Sequence, residues 1–243
     1  MASCIQAQAP LDTAKIKDLS FFAWMKKYTN AKYALDGNYS KGNVNRSLVS
    51  NRLTFNYNYK IYEFNLSGSY IYGKQNLIKT EDDFILGITS NIWDESITYV
   101  WGTGTIEKSF SRGILNRENL GAGLGFNIIP KEKDKNLSLT YGYLYENTDF
   151  RTTKDIETVR ASVRIKGKHL FFKKLIHFHH ETFIQPSIVI AENYRWRTLL
   201  SLEIPFNKHM NFKSGYQYIY ENVVDPGKKK GDRNLTFGLS FSY

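Results

Sequence analysis

Cysteine is nearly missing from this chain: Cys4 is the only one in 243 residues. No intramolecular disulfide can form, and a zinc–thiolate cluster is excluded. Proline is scarce too, at five residues. Pro130 and Pro226 lie in predicted connections, Pro205 lies near a strand end, and Pro186 bulges or ends its strand, so no interior ladder donor is lost. Long apolar runs are also absent. Nothing approaches the roughly 18 to 20 consecutive apolar residues of a membrane helix, and the mean hydropathy is −0.44. These absences exclude spanning by a helix. They leave a β-barrel open, because a barrel strand gives lipid only every second residue.

What is present is alternation. In the closing segment Leu235, Phe237, Leu239, Phe241 and Tyr243 alternate with Thr236, Gly238, Ser240 and Ser242. Side chains of a strand point to opposite faces with period 2, so one face is oily and the other small and polar. From about Lys32 onward the pattern recurs in segments of about ten to fourteen residues, close to the roughly 9 to 11 of a tilted membrane crossing. Tyr33, Leu35 and Tyr39 share a face; so do Leu53, Phe55, Tyr57 and Tyr59, and then Tyr62, Phe64, Leu66, Tyr70 and Tyr72. Segments around 83–93 and 96–107 place Phe84, Leu86 and Ile88, then Ile97, Tyr99 and Trp101, on the outer side. Later segments carry on with Leu120 to Ile128, Leu137 to Tyr145, Val159 to Ile165, a less regular stretch over 177–187, Tyr194 to Phe206 and Met210 to Tyr220. The expected fold is all-β: a transmembrane, antiparallel, up-and-down β-barrel of about twelve strands over residues 31–243.

Aromatic content supports a lipid-facing exterior. Phe, Trp and Tyr make up 15% of the chain, which suits the interfacial girdles of outer-membrane barrels. An aromatic-rich β-sandwich would bury its oily face in a second layer, with strands nearer five or six residues. Tight connections at 58–61, 93–96 and 207–209 alternate with longer polar ones at 108–117, 147–155 and 221–233, as short periplasmic turns alternate with longer external loops. Both termini then fall on the periplasmic side of a bacterial outer membrane. Residues 1–7 read as the remnant of a signal peptide and 8–30 as a periplasmic segment, where Asp12 or Thr13 caps a short helix carrying Ile16, Leu19 and Phe22 or the chain is a simple tail. Met1-Ala2-Ser3-Cys4 also faintly matches a lipoprotein box that would acylate Cys4.

The formal net charge is +10, a value that often marks nucleic-acid binding. Here the lysines collect at predicted turns, in Lys131-Glu132-Lys133-Asp134-Lys135, Lys173-Lys174 and Lys228-Lys229-Lys230. They read as solvated loop charges facing anionic lipid headgroups, and no nucleic-acid partner is expected. Gly121-Ala122-Gly123-Leu124-Gly125 lacks the following helix of a phosphate loop. Its three glycines share one strand face, which marks bending or close approach of a neighbour. His177, His179 and Glu181 share a face compatible with a metal site, but ordinary polar strand residues are the reading preferred; no cofactor or metal is expected. Nothing singles out a serine with a histidine and an orienting partner. The chain therefore reads as a non-enzyme, with a lipid-modifying hydrolase as an alternative resting on His177–Glu181 and abundant serine.

The inward positions carry the remaining information. Asp36, Glu63, Glu146 and Glu203 share the predicted lumen with Arg52, Arg160, Arg164, Lys166, Arg195, Arg197 and Lys213. Opposite charges pairing across the interior would plug it, giving a structural or accessory barrel; this is the reading favoured. The cationic excess would otherwise line a narrow anion-preferring pore.

Three stretches carry a family resemblance: Gly42-Asn43, Arg117-Glu118-Asn119-Leu120-Gly121-Ala122-Gly123-Leu124-Gly125-Phe126, and Tyr143-Leu144-Tyr145-Glu146-Asn147-Thr148-Asp149-Phe150. With the closing stretch 193–243, including Asp232, they resemble the YdiY-like, salt-induced outer-membrane protein family, over about residues 31–243. The resemblance implies a secreted outer-membrane barrel and brings no catalytic residue. The expected partners are outer-membrane lipids, the barrel-assembly machinery reading Leu235, Phe237, Leu239, Phe241 and Tyr243, and a larger envelope complex docked through loops or the N-terminal tail.

Overall fold

The computed structural model describes residues 27–40, 46–130, 134–172 and 175–242. The leader remnant 1–7, Cys4, the segment carrying Ile16, Leu19 and Phe22, Gly42-Asn43, Lys131, Lys133, Lys173-Lys174 and Tyr243 lie outside the described residues.

Twelve strands follow one another in chain order: β1 (Thr29–Ser40), β2 (Arg46–Tyr59), β3 (Tyr62–Gln75), β4 (Ile78–Ile92), β5 (Thr98–Ser109), β6 (Ile114–Ile129), β7 (Lys135–Phe150), β8 (Ile156–Phe171), β9 (Ile176–Pro186), β10 (Tyr194–Pro205), β11 (Met210–Glu221) and β12 (Gly231–Ser242). Each pairs antiparallel with its sequence neighbours. β1 closes the ring on β12, from Lys32↔Ser242 to Gly37↔Phe237. Closure leaves no free edge, the condition a sheet must meet to cross hydrocarbon without exposing backbone donors. The prolines obey the same logic: Pro186 and Pro205 each end a strand.

The molecule is inside out relative to a soluble domain. Leu35, Leu53, Leu86, Leu120, Leu124, Tyr143, Trp196, Leu202 and Phe237 all stand exposed on the outer face. The buried set is instead dominated by polar and charged side chains. Such an apolar belt is far larger than a soluble surface carries, and lipid is the phase that covers it.

Two sequence-based expectations are corrected. Tyr99 and Trp101 face the lumen, not the outside, and both are buried. Ile97, expected beside them, lies in the turn before β5 and is 76% exposed. In β5 the outward side chains are Val100 and Ile106, whereas Tyr99 and Trp101 share parity with Thr103, Thr105 and Glu107. The inward rings are accommodated by glycine. A Cβ on Gly125 would strike the Tyr99 ring, and one on Gly123 or Gly142 would strike Trp101 together with backbone of the facing strand. The glycine run on β6 thus serves close approach: Tyr99, Trp101 and Leu144 form a small apolar cluster inside the barrel, and Trp101 Nε1 donates to the Leu124 carbonyl at 3.2 Å.

The second correction concerns the connections on the rim away from the termini, called the far rim below. The expected loops 108–117 and 147–155 shrink to 110–113 and 151–155, because the ladder carries on past the apolar belt. β6, β7 and β8 each reach 16 residues, beyond the roughly 9 to 11 that a bilayer needs. Loop 222–230 remains long, while β3 and β4 are joined by Asn76 and Leu77 alone, both at positive φ, the two-residue hairpin geometry.

Candidate functional site

The extra strand length at the far rim holds a network of ion pairs. Arg117, on the inner face of β6 and 2% exposed, forks onto Glu221 of β11: Nη1 donates to Oε1 at 2.8 Å and Nη2 to Oε2 at 2.7 Å. Its Nε donates to Thr148 Oγ1 at 3.0 Å. Arg112, from the loop before β6, donates to the same Glu221 at 2.8 Å and pairs with Glu107 of β5. A second centre lies alongside. Glu146 of β7 receives Arg160 Nη2 at 2.8 Å and Arg195 Nη1 at 2.5 Å. Arg160 also reaches Asn193 Oδ1 at 3.0 Å, and Arg195 reaches Asn119 Oδ1 at 2.9 Å. Four guanidiniums and three carboxylates therefore tie β5, β6, β7, β8, β10 and β11 together across the interior. Buried charges are tolerable only when each is paired and its remaining donors are satisfied, and planar arginine forks do both.

Above this network lies a strap. In loop 222–230, Asp225 Oδ1 accepts the Thr152 and Thr153 amides at 3.0 and 2.9 Å and the Thr152 hydroxyl at 2.9 Å. Burial acts to raise the Asp225 carboxyl, but these threonine donors outweigh it and hold the group below the usual carboxylate range. Asp225 packs against Gly113, at φ +72, where an added Cβ would meet its side chain at 2.5 Å. Lys228 Nζ donates to the Phe110 carbonyl at 3.0 Å, and the cations of Lys79, Arg151 and Lys228 lie 4.5, 5.2 and 5.2 Å from the Phe110 ring. The strap thus joins the 110–113, 151–155 and 222–230 loops.

A second set of pairs spans the closure seam. Lys213 of β11 meets Asp36 of β1 at 3.3 Å, and Lys32 of β1 meets Glu203 of β10 at 2.6 Å. Between them β12 turns Thr236, Gly238 and Ser240 inward. A Cβ on Gly238 would strike Asp36 and the Leu35 carbonyl, so glycine is needed there for Asp36 and Lys213 to meet.

The rest of the lumen is open. A cavity of about 830 Å³ is lined by residues of both halves of the barrel. Its β3–β5 wall is largely uncharged, with Ser67, Ser69, Thr89, Thr103 and Thr105. The opposite wall carries most of the charge. Among the described residues nine Lys and Arg side chains line the cavity against six Asp and Glu. Of the residues expected in the lumen, Asp36, Arg52, Glu63, Arg164, Lys166, Arg195, Arg197 and Lys213 line this cavity. Glu146, Arg160 and Glu203 are buried within the ion pairs. Glu63 accepts from Asn91 at 3.1 Å, and Arg164 lies 3.9 Å from Glu181. Arg52, Lys166 and Arg197 have no carboxylate within ion-pair distance among the described residues.

Sequence reasoning missed Lys32, Glu107, Arg112, Arg117 and Glu221. Arg112, Arg117 and Glu221 fell in stretches read as loops. Extending the parity of Gly121 back by four residues would have turned Arg117 inward. The histidine group divides between the faces. His179 shares the strand parity of the inward Phe183 and Gln185, whereas His180 has the opposite parity and stacks on His169 at 5.3 Å and on Phe178 at 5.6 Å. Among the described residues no three His, Cys, Asp or Glu side chains gather as a metal would require.

No curated protein sequence matches this chain. Among solved structures, a NanC porin aligns with a TM-score of 0.54 at 14% identity, covering 86% of this chain and 98% of its own. A KdgM porin in complex with disordered oligogalacturonate aligns at 0.47 and 12% identity, covering 88% and 99%. The translocator domain of the autotransporter NalP from Neisseria meningitidis aligns at 0.46 and 12%, covering 89% and 87%. The NanC alignment speaks for a shared fold alone. A family model matches residues 35–243, the greater part of the chain and the same family that the sequence resembles. The chain therefore belongs to the protein family of unknown function DUF481.

Proposed function

We propose that this protein sits in the bacterial outer membrane with both termini periplasmic, and that it is a non-enzymatic channel whose narrow polar lumen favours anions. The observation that carries this reading is the set Arg52, Lys166 and Arg197, which faces an 830 Å³ cavity with no carboxylate partner among the described residues. Fixed positive charge in a narrow, partly desolvated lumen attracts anions and repels cations, as rings of Arg and Lys do in anion pores. The far-rim ion pairs narrow one half of the mouth and leave the hydroxyl-lined β3–β5 side as the path. In this reading Leu235, Phe237, Leu239 and Phe241 present the closing strand to the assembly machinery, and the outer belt meets lipid.

Planar-bilayer recording across a KCl gradient tests the proposal. The wild-type reversal potential should have the sign of anion preference, and Arg52→Glu/Arg197→Glu, a change of four charges, should invert it. An unchanged reversal potential in the double variant would remove these arginines from the selectivity path. A silent bilayer would favour a second reading, a sealed structural barrel, for which the buried Arg117–Glu221 fork is the supporting feature.

A further inference from the structure

Phe183 is an apolar ring in a polar lumen, and the strand on either side of it carries an inward arginine. On β9 its register partners are Arg164 of β8 and Arg197 of β10, so three neighbouring strands present Arg, Phe and Arg inward side by side. All three line the cavity. Arg197 Nε is buried without a hydrogen-bond partner among the described residues. Arg164 has Thr140 Oγ1 at 3.4 Å, lies over the Trp101 ring at 5.8 Å, and among the described residues has Glu181 at 3.9 Å as its only counter-ion. An unsatisfied buried donor is costly to maintain, and so is a phenyl ring kept in contact with water.

Each part of this group asks for a different feature of a ligand. Guanidiniums on either side of one position suit a single anionic group held by forked hydrogen bonds. The ring between them suits a flat C–H face, which a simple inorganic anion lacks. The facing wall, with Ser67, Thr89 and Thr103, suits hydroxyls. We infer that Arg164, Phe183 and Arg197 form a binding subsite for an acidic sugar, a hydroxylated ring bearing one carboxylate or phosphate. The ring face lies on Phe183, the anionic group lies between the arginines, and the hydroxyls turn to the β3–β5 wall. This inference rests on the anion-favouring lumen proposed above.

Calorimetric titration of the detergent-solubilised full chain tests it, with glucuronate and glucose 6-phosphate as probes against glucose, acetate and inorganic phosphate. At least one acidic sugar should bind saturably and about tenfold more tightly than any comparator, a gap of ~1.4 kcal/mol. Whether glucuronate or glucose 6-phosphate binds tells carboxylate from phosphate. Phe183→Ala should weaken that binding by about tenfold, and Phe183→Trp should keep it. Acidic sugars binding no better than acetate or phosphate would overturn the inference, and so would unchanged affinity in a folded Phe183→Ala barrel. The wild-type comparison stands even if a variant fails to fold. Anion-selective current without a preference for acidic sugars removes the subsite and leaves the channel. Saturable binding without current removes the channel and leaves the subsite.

Discussion

Glu221→Ala should destabilise the barrel by about 3–5 kcal/mol, the usual cost of leaving a buried charge without its partner. Glu221 is the shared acceptor of Arg112 and Arg117, and Arg117 is only 2% exposed. Glu107 lies 3.5 Å and Glu146 4.0 Å from Arg117, too far and too occupied to replace a bidentate fork. The loss comes from the stranded guanidiniums more than from the vanished contact. Removing both partners with residues of similar volume, as in Arg117→Met/Glu221→Leu, should therefore recover much of it. Urea unfolding of the reconstituted protein, followed by tryptophan fluorescence, measures both variants. A single variant as stable as wild type would show that the pair is solvated in the lumen and not structurally required.

The second large effect concerns glycine. Gly142→Ala should unfold the barrel or lower its stability by more than ~3 kcal/mol, whereas Gly125→Ala should cost about 1–3 kcal/mol. The difference lies in what each new Cβ meets. At Gly142 it strikes the Ala122 carbonyl of β6 and lies within 2.8 Å of Gly123 Cα, so two paired strands would have to part. At Gly125 its nearest neighbours are atoms of the Tyr99 ring, a side chain that can rotate into the open lumen. Combining Gly125→Ala with Tyr99→Ala should relieve the clash, and Trp101→Ala should not rescue Gly142→Ala. Comparable losses at the two positions would mean that the packing of β5 against β6 and β7 differs from this description.

How much of this was legible beforehand depends on where period 2 is sharp. The strands from Leu53 to Tyr72 and from Tyr194 to Tyr220 alternate cleanly, because each outward position meets one phase and each inward position another. Their number and faces follow directly. β5 fails the test because its inward face begins with two aromatics: Tyr99 and Trp101 resemble lipid-facing residues until Thr103, Thr105 and Glu107 are counted on the same side. The far rim was hidden for a different reason. Beyond the bilayer both faces of a strand are wet, alternation fades, and Arg112, Arg117 and Glu221 look like loop charge although two of them lie in regular strands. The seam pairs were half visible. Asp36 and Lys213 fall on inward positions by their parity, but that they meet across Gly238 depends on ring closure, which no local pattern encodes.

The central claim is that one face of each strand meets lipid while the other faces a polar lumen. Quenching by dibrominated phosphatidylcholine in vesicles tests it most directly, using variants that keep one tryptophan and carry phenylalanine at the other three positions. Trp196, on the outer face of β10, should be strongly quenched, and Trp101, packed inside against Gly123 and Gly142, should be nearly untouched. Equal quenching of the two, or quenching of Trp101 alone, would contradict the account.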